Sequence, residues 1–157
     1  MSLESAERYL KEKGFLDRVI RFTESTATVL EAAQALGVEP GMIAKTMSFI
    51  QDDRVVLILT EGTARIDNRK YKDTFHTKAR MVPFDEVEEK TGHAPGGVCP
   101  FGIKDGVEVY LDKSLRKYDT VYPAAGNDHS AVKLTISELE QTAGARGWVD
   151  VCKDDNA

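Results

Sequence analysis

Apolar positions recur at helical spacing in the opening segment, where Leu3, Ala6 and Leu10 align with Tyr9 beside them and Gly14 stands where a helix stops. That predicts a short amphipathic helix. An extended stretch follows over 19–22. Thr28 and Glu31 then frame a T-x-x-E capping box ahead of Val29, Leu30, Ala33 and Leu36, with Gly37 at the stop position. Pro40 and Gly41 introduce a turn or short helix. Beyond it, Thr46 to Ile50 and Val55 to Thr60 read as two strands of a hairpin around Gln51-Asp52-Asp53-Arg54.

From 65 to 80 the chain turns polar, helix-compatible in its first half, and residues 79–82 read as a short strand before Pro83. Asp85 and Glu88 form a second capping pair for a short helix that Gly92 would end. A loop rich in glycine and proline occupies 93–106. Val107 to Leu111 and Thr120 to Tyr122 are predicted strands, and Val132 and Leu134 share a further one after the turn PAAGNDHS. Thr135 and Glu138 open a terminal helix to about Ala143, GWVDVC adds a last strand, and the tail 153–157 is predicted to fray. Strands and helices intersperse without strict βαβ alternation. This predicts a single α+β domain over 1–157, built on a mixed or largely antiparallel sheet.

The length of 157 residues suits one domain. A net charge of -5 excludes a large non-specific nucleic-acid surface and leaves room only for a small basic patch. Cys99 and Cys152 lie far apart without a CxxC pair, which suggests neither a disulfide framework nor a zinc site and favours a reducing, cytoplasmic setting. The start lacks the apolar run of a signal peptide, and no run approaches the ~18 residues of a membrane span. His76, His93 and His129 lack metal-ligand spacing and read as surface or loop residues, so no metal is expected.

The stretch Gly92-His93-Ala94-Pro95-Gly96-Gly97-Val98-Cys99-Pro100-Phe101-Gly102 is the most informative. Glycines let a backbone approach a ligand and turn its N–H groups inward, as an oxyanion or phosphate requires. The order is neither a Walker loop nor a dinucleotide fingerprint, and a plain connection between helix and strand is the competing reading. Lys45, at the start of an apolar strand, is a candidate cation or a solvated lysine. Cys99 has no His or Asp beside it in sequence and reads as a small buried hydrophobe rather than a nucleophile. The turn Gly126-Asn127-Asp128-His129-Ser130 either lines a pocket or closes a hairpin. Between Arg65 and Arg80 six basic residues face two acidic ones, an asymmetry that suits a phosphate contact or a solvated helix face.

Three segments together carry a resemblance: Ile43-Ala44-Lys45-Thr46-Met47, the run Thr91 to Lys104, and Val121-Tyr122-Pro123-Ala124-Ala125-Gly126 with Leu134 and Ser137-Glu138-Leu139. In order and approximate spacing they resemble the YbaK/EbsC family of freestanding aminoacyl-tRNA deacylases, related to the editing domain inserted in bacterial prolyl-tRNA synthetases. The resemblance implies a compact α+β domain with a strongly curved mixed sheet flanked by helices. It implies hydrolysis of the ester joining a wrong amino acid to the 3′-terminal adenosine of a tRNA, typically tRNA for proline. No cofactor, metal or membrane is implied; the expected partners are the acceptor end of an aminoacyl-tRNA and a prolyl-tRNA synthetase.

Lys45 matches the family's lysine and becomes the expected catalytic cation. Gly92, Gly96, Gly97, Val98, Cys99 and Pro100, with Gly126, Asn127 and His129, become the expected substrate-binding set, and Arg69, Lys70 and Lys72 the expected contacts to tRNA phosphates. Serine is frequent in the family where Cys99 stands, which also argues against a thiol nucleophile. The implied chemistry instead lets loop N–H groups and the Lys45 ammonium stabilise the oxyanion while the substrate's own ribose hydroxyl, or its thiol when the amino acid is cysteine, assists. The rival readings are a non-catalytic module binding a tRNA 3′ end or a protein, and a hydrolase of another small ester.

Overall fold

A computed structural model of the chain describes residues 2–154. In chain order its elements are helix α1 (Ser2–Lys13), strand β1 (Val19–Arg21), helix α2 (Val29–Leu36), strands β2 (Ala44–Gln51) and β3 (Arg54–Glu61), helix α3 (Asn68–Phe75), the short helix α4 (Val87–Thr91), strands β4 (Glu108–Asp112), β5 (Thr120–Val121), β6 (Ser130–Val132) and β7 (Leu134–Thr135), helix α5 (Ile136–Ala143) and strand β8 (Trp148–Val149). The central sheet has the order β2-β3-β4-β8. β2 runs antiparallel to β3, while β4 and β8 join in parallel. Two smaller antiparallel pairs, β1 with β6 and β5 with β7, complete the mixed α+β fold that the sequence predicts.

β3 is covered on both faces, which is why Val55 to Leu59 is an unbroken apolar run rather than an alternation. On one face Leu57 and Leu59 pack with Ala44, Val109 and Leu111 against Ala6 and Leu10 of α1, Leu139 and Ala143 of α5, and Phe101 of the glycine loop. On the other, Val56 and Ile58 pack with Phe49 and Tyr110 against Tyr71 and Phe75 of α3 and Val151. The capping boxes at Thr28 and Thr135 both form, and Gly37 and Gly144 end their helices in the left-handed conformation.

Four expectations change. The Asp85–Glu88 box does not form: a tight 3₁₀ turn over Phe84–Glu86 leads into α4 with no side-chain cap. Val132 and Leu134 lie on two strands, because Lys133 donates its N–H to the Arg18 carbonyl at 3.1 Å and the chain passes there from β1 to β5. Residues 79–82 reach β2 through one bridge, Phe49 to Met81, rather than a full strand. At the tail, Lys153 N–H donates to the Arg65 carbonyl at 2.8 Å and Asp154 pairs with Lys70, so these two residues are anchored; the rest of the tail predicted to fray, Asp155 to Ala157, lies outside the described residues. Among the described residues no helix is long and apolar enough to cross a membrane.

Candidate active site

A largely apolar cavity of about 420 Å³ opens where the outer edge of β2 is left uncovered. Tyr122 covers that edge at Ile43 and Met81 covers it at Phe49, so the strand lies bare between them. Around the gap stand Thr26 to Val29 and Ala32 at the start of α2, Pro95, Gly96 and Val98 of the glycine loop, and Ala124, Ser130 and Ala131 near the polar turn. Met81 and Phe84 also line it, 53% and 79% exposed, and leave an aromatic surface at its mouth.

The glycine loop is positioned by the 124–130 turn, which is in turn tied to the segment before α2. Thr26 N–H donates to the Asp128 carbonyl at 2.7 Å, Ser130 N–H to Thr26 Oγ1 at 3.1 Å, and Ala125 N–H to Ser130 Oγ at 3.2 Å. Gly97 is buried against this turn, where a Cβ would stand 2.5 Å from Asn127 Cα and N and 2.7 Å from Gly126 C. Its missing side chain accommodates another piece of backbone. Gly96, with φ +89°, carries the loop past Ala27 and Asp128 and lines the cavity.

His93 was expected at the surface or in an open loop, and is instead a fully buried latch. Its Nε2 donates to the Phe101 carbonyl at 2.6 Å, its Nδ1 has no partner among the described residues, and burial lowers its pKa, which favours the neutral ring. The fold also brings His93 Nε2 to 3.5 Å from Cys99 Sγ, a neighbour invisible in the sequence. The pairing activates nothing: burial pushes the Cys99 thiol up to about 12, and Cys99 packs in the main core behind the cavity lining.

Lys45 lines the cavity from β2, its side chain on the sheet face of Met47 and Phe49. It is half-buried and donates from Nζ to the Ala64 carbonyl at 2.5 Å. Burial lowers its pKa, while the Glu61 carboxylate favours the charged form and Arg65 opposes it. An ammonium has three donors, so two remain after Ala64.

The other expected residues are divided. Gly92 caps α4 with φ +98°, and Pro100 is buried behind the loop. Gly126 is buried in the turn, Asn127 Oδ1 accepts from His129 N–H at 3.0 Å, and His129 pairs with Asp128 on the surface at 2.7 Å. Lys70 is held by Asp154 at 2.8 Å and Asp150 at 3.2 Å. Arg69 and Lys72 instead border a separate hollow with Lys78, and among the described residues none of these three makes an ion pair. Thr46, Ser48, Met81 and Phe84 were missed by sequence reasoning, although alternation along β2 marks the first two as sharing a face.

Residues 23–142 match the family model of the aminoacyl-tRNA editing domain. The chain belongs to this family. The editing domain is 46% identical over 155 residues to the uncharacterized protein YwhH of Bacillus subtilis, with 98% of this chain and 99% of that protein covered. It is 32% identical over 130 residues to the proline–tRNA ligase of Bacillus velezensis, covering 82% of this chain and 23% of the ligase. A crystal structure provisionally described as a trans-editing enzyme for prolyl tRNA synthetase superposes on it with a TM-score of 0.87 at 33% identity, with 98% of each chain covered.

Proposed function

We propose that this editing domain is a deacylase acting in trans on mischarged aminoacyl-tRNA, with tRNA for proline carrying cysteine, alanine or another small amino acid as its substrate. The observation that carries the reading is the cavity: it is large enough for an aminoacyl group and walled by Ala27, Ala32, Ala44, Gly96, Ala124 and Ala131, with Lys45 as the cation at its edge. Water adds to the ester carbonyl, the bond to the ribose oxygen breaks, and the amino acid leaves as its carboxylate. Negative charge gathers on the carbonyl oxygen in between, so a donor held near that oxygen is worth more in the transition state than in the ground state. The ribose hydroxyl beside the ester, or the thiol of a cysteinyl group, assists the reaction from within the substrate. The exposed Phe84 ring offers the terminal adenine a face to stack on.

The test is single-turnover deacylation of tRNA for proline charged separately with alanine, cysteine, serine and proline. Rapid release of one or more small non-cognate amino acids, with the prolyl ester spared, is expected. Binding without release would select the non-catalytic module, which the engagement of Lys45 Nζ with Ala64 favours. A prolyl-tRNA synthetase as docking partner is tested by adding that enzyme and looking for a rise in the release rate.

Two further outcomes follow from the geometry. Cys99→Ser is expected to keep most of the turnover and to trap no thioester, since the thiol is protonated and set behind the cavity; loss of all turnover in a folded Cys99→Ser protein would reverse that assignment. Neutralising Arg69 and Lys72 is expected to raise KM for charged tRNA, leave kcat nearly unchanged, and flatten the slope of log affinity against log salt by about 0.7–0.9 for each phosphate no longer neutralised. Lys70→Ala should change the slope much less, because Asp154 and Asp150 already neutralise that ammonium. Equal effects at all three positions would return the patch to general electrostatics.

A further inference from the structure

The pairing of β2 alternates. Gln51 and Arg54 face each other across the two-residue turn Asp52-Asp53, so the main-chain groups of Gln51, Phe49, Met47 and Lys45 point to β3, and those of Ile50, Ser48, Thr46 and Ala44 point outward. The outward groups are met at both ends of the gap. Ala44 N–H donates to the Tyr122 carbonyl at 3.2 Å, Ile50 N–H donates to the Arg80 carbonyl at 2.8 Å, and the Ser48 carbonyl accepts from Val82 N–H at 3.0 Å. Between them, the N–H and C=O of Thr46 have no partner on the outer side among the described residues, and Thr46 lines the cavity. Thr46 Oγ1 is also buried without a partner. Main-chain groups are strong hydrogen-bonding groups that folded proteins rarely leave unmet away from water.

We propose that the main chain of Thr46 docks the aminoacyl group: its N–H donates to the ester carbonyl oxygen and its C=O accepts from the α-ammonium. An aminoacyl ester carries an N–H donor group and a carbonyl acceptor on either side of a single Cα, as a residue of a strand does. Opposite residues in a hydrogen-bonded antiparallel pair exchange both bonds, so the aminoacyl group fills the gap as a one-residue continuation of the sheet. The oxygen that becomes negative on attack by water then rests on the Thr46 N–H. That makes this amide a catalytic donor as well as a point of alignment. The inference rests on the deacylase reading of the same cavity and specifies which atoms hold the reacting group.

Amide hydrogen exchange tests it on the intact chain. Without ligand, the Thr46 amide is expected to exchange quickly while its neighbour Met47, bonded to β3, is protected. Saturation with 3′-alanylamino-3′-deoxyadenosine, a stable amide analogue of the substrate end, should slow Thr46 exchange at least about 10-fold. An ester linkage in place of the peptide N–H at Thr46, introduced as the α-hydroxy acid, keeps the side chain and should lower kcat/KM for the hydrolysed aminoacyl-tRNA on the order of 10²-fold. The melting temperature of that variant controls for folding. Thr46 exchange unchanged up to millimolar analogue, whether the analogue sits elsewhere in the cavity or does not bind, overturns the proposal, as does an unchanged rate in the folded ester variant. Absence of hydrolysis across the charged-tRNA panel would instead sink the deacylase reading, while Thr46 protection by the analogue would still decide the docking.

Discussion

Lys45→Ala is expected to lower kcat/KM for a mischarged aminoacyl-tRNA on the order of 10²-fold or more, the scale of removing one donor from a developing oxyanion. Folding should hold, because the Lys45 contact to the Ala64 carbonyl is one hydrogen bond from a charged donor, worth about 1.5–3 kcal/mol, and Ala64 is only partly buried, so water can replace it. Lys45→Arg should also be impaired: a planar five-donor fork does not reproduce a point charge in a half-buried slot. Burial lowers the lysine pKa, so its charged form is lost at a lower pH than that of an ordinary lysine. The corresponding fall in kcat/KM with rising pH should therefore begin below the usual lysine range and disappear in Lys45→Met. Single-turnover rates across pH, beside thermal melts, check both points. Near-normal rates in Lys45→Ala would leave the work to main-chain donors, and lost activity with a collapsed melting temperature would make Lys45 a structural residue.

Gly97→Ala is expected to be far more damaging than Gly96→Ala beside it in the glycine loop. The added methyl would lie 2.5 Å from two backbone atoms of Asn127, and backbone on both sides leaves no flexible side chain to move aside. Overpacking of this kind costs about 1–3 kcal/mol, and at this chain length each kcal/mol lowers the melting temperature by about 2–4 °C. Activity should fall as well, since the 124–130 turn and the loop wall the same cavity. Gly96→Ala meets side chains at 3.2 and 3.3 Å and suffers chiefly from its positive φ, so a smaller loss is expected there. An unshifted melting temperature in Gly97→Ala would mean that loop and turn separate readily.

Local signals in the sequence were read correctly where nothing distant competes with them. Thr28 and Thr135 form their capping boxes because both partners lie within one helical turn. Asp85 fails as a cap because the chain leaves Pro83 in a tight 3₁₀ turn over Phe84–Glu86, which puts Asp85 inside the turn rather than before the helix. The break at Lys133 comes from Arg18, far away in sequence. At Gly97 the fold supplies a reason for glycine that the sequence does not show: the space of the missing side chain is taken by the backbone of Asn127. The gap at Thr46 has no local signature at all. It exists because Tyr122 and Met81 stop where they do along β2.

The pairing of β1 with β6 sets the order in which this molecule can be made. Val19 leaves the ribosome early, yet its partner Val132 follows 113 positions later in the numbering. At about 5–20 residues per second, β1 waits on the order of ten seconds for that partner. The β2–β3 hairpin can close sooner, being local, but its two apolar faces stay uncovered until α3, β4 and α5 arrive. The cavity draws its walls from Thr26 to Ala131, so a nascent chain has no cavity to offer until Ala131 has been made. A ribosome stalled before that point holds a sticky hairpin and no such cavity.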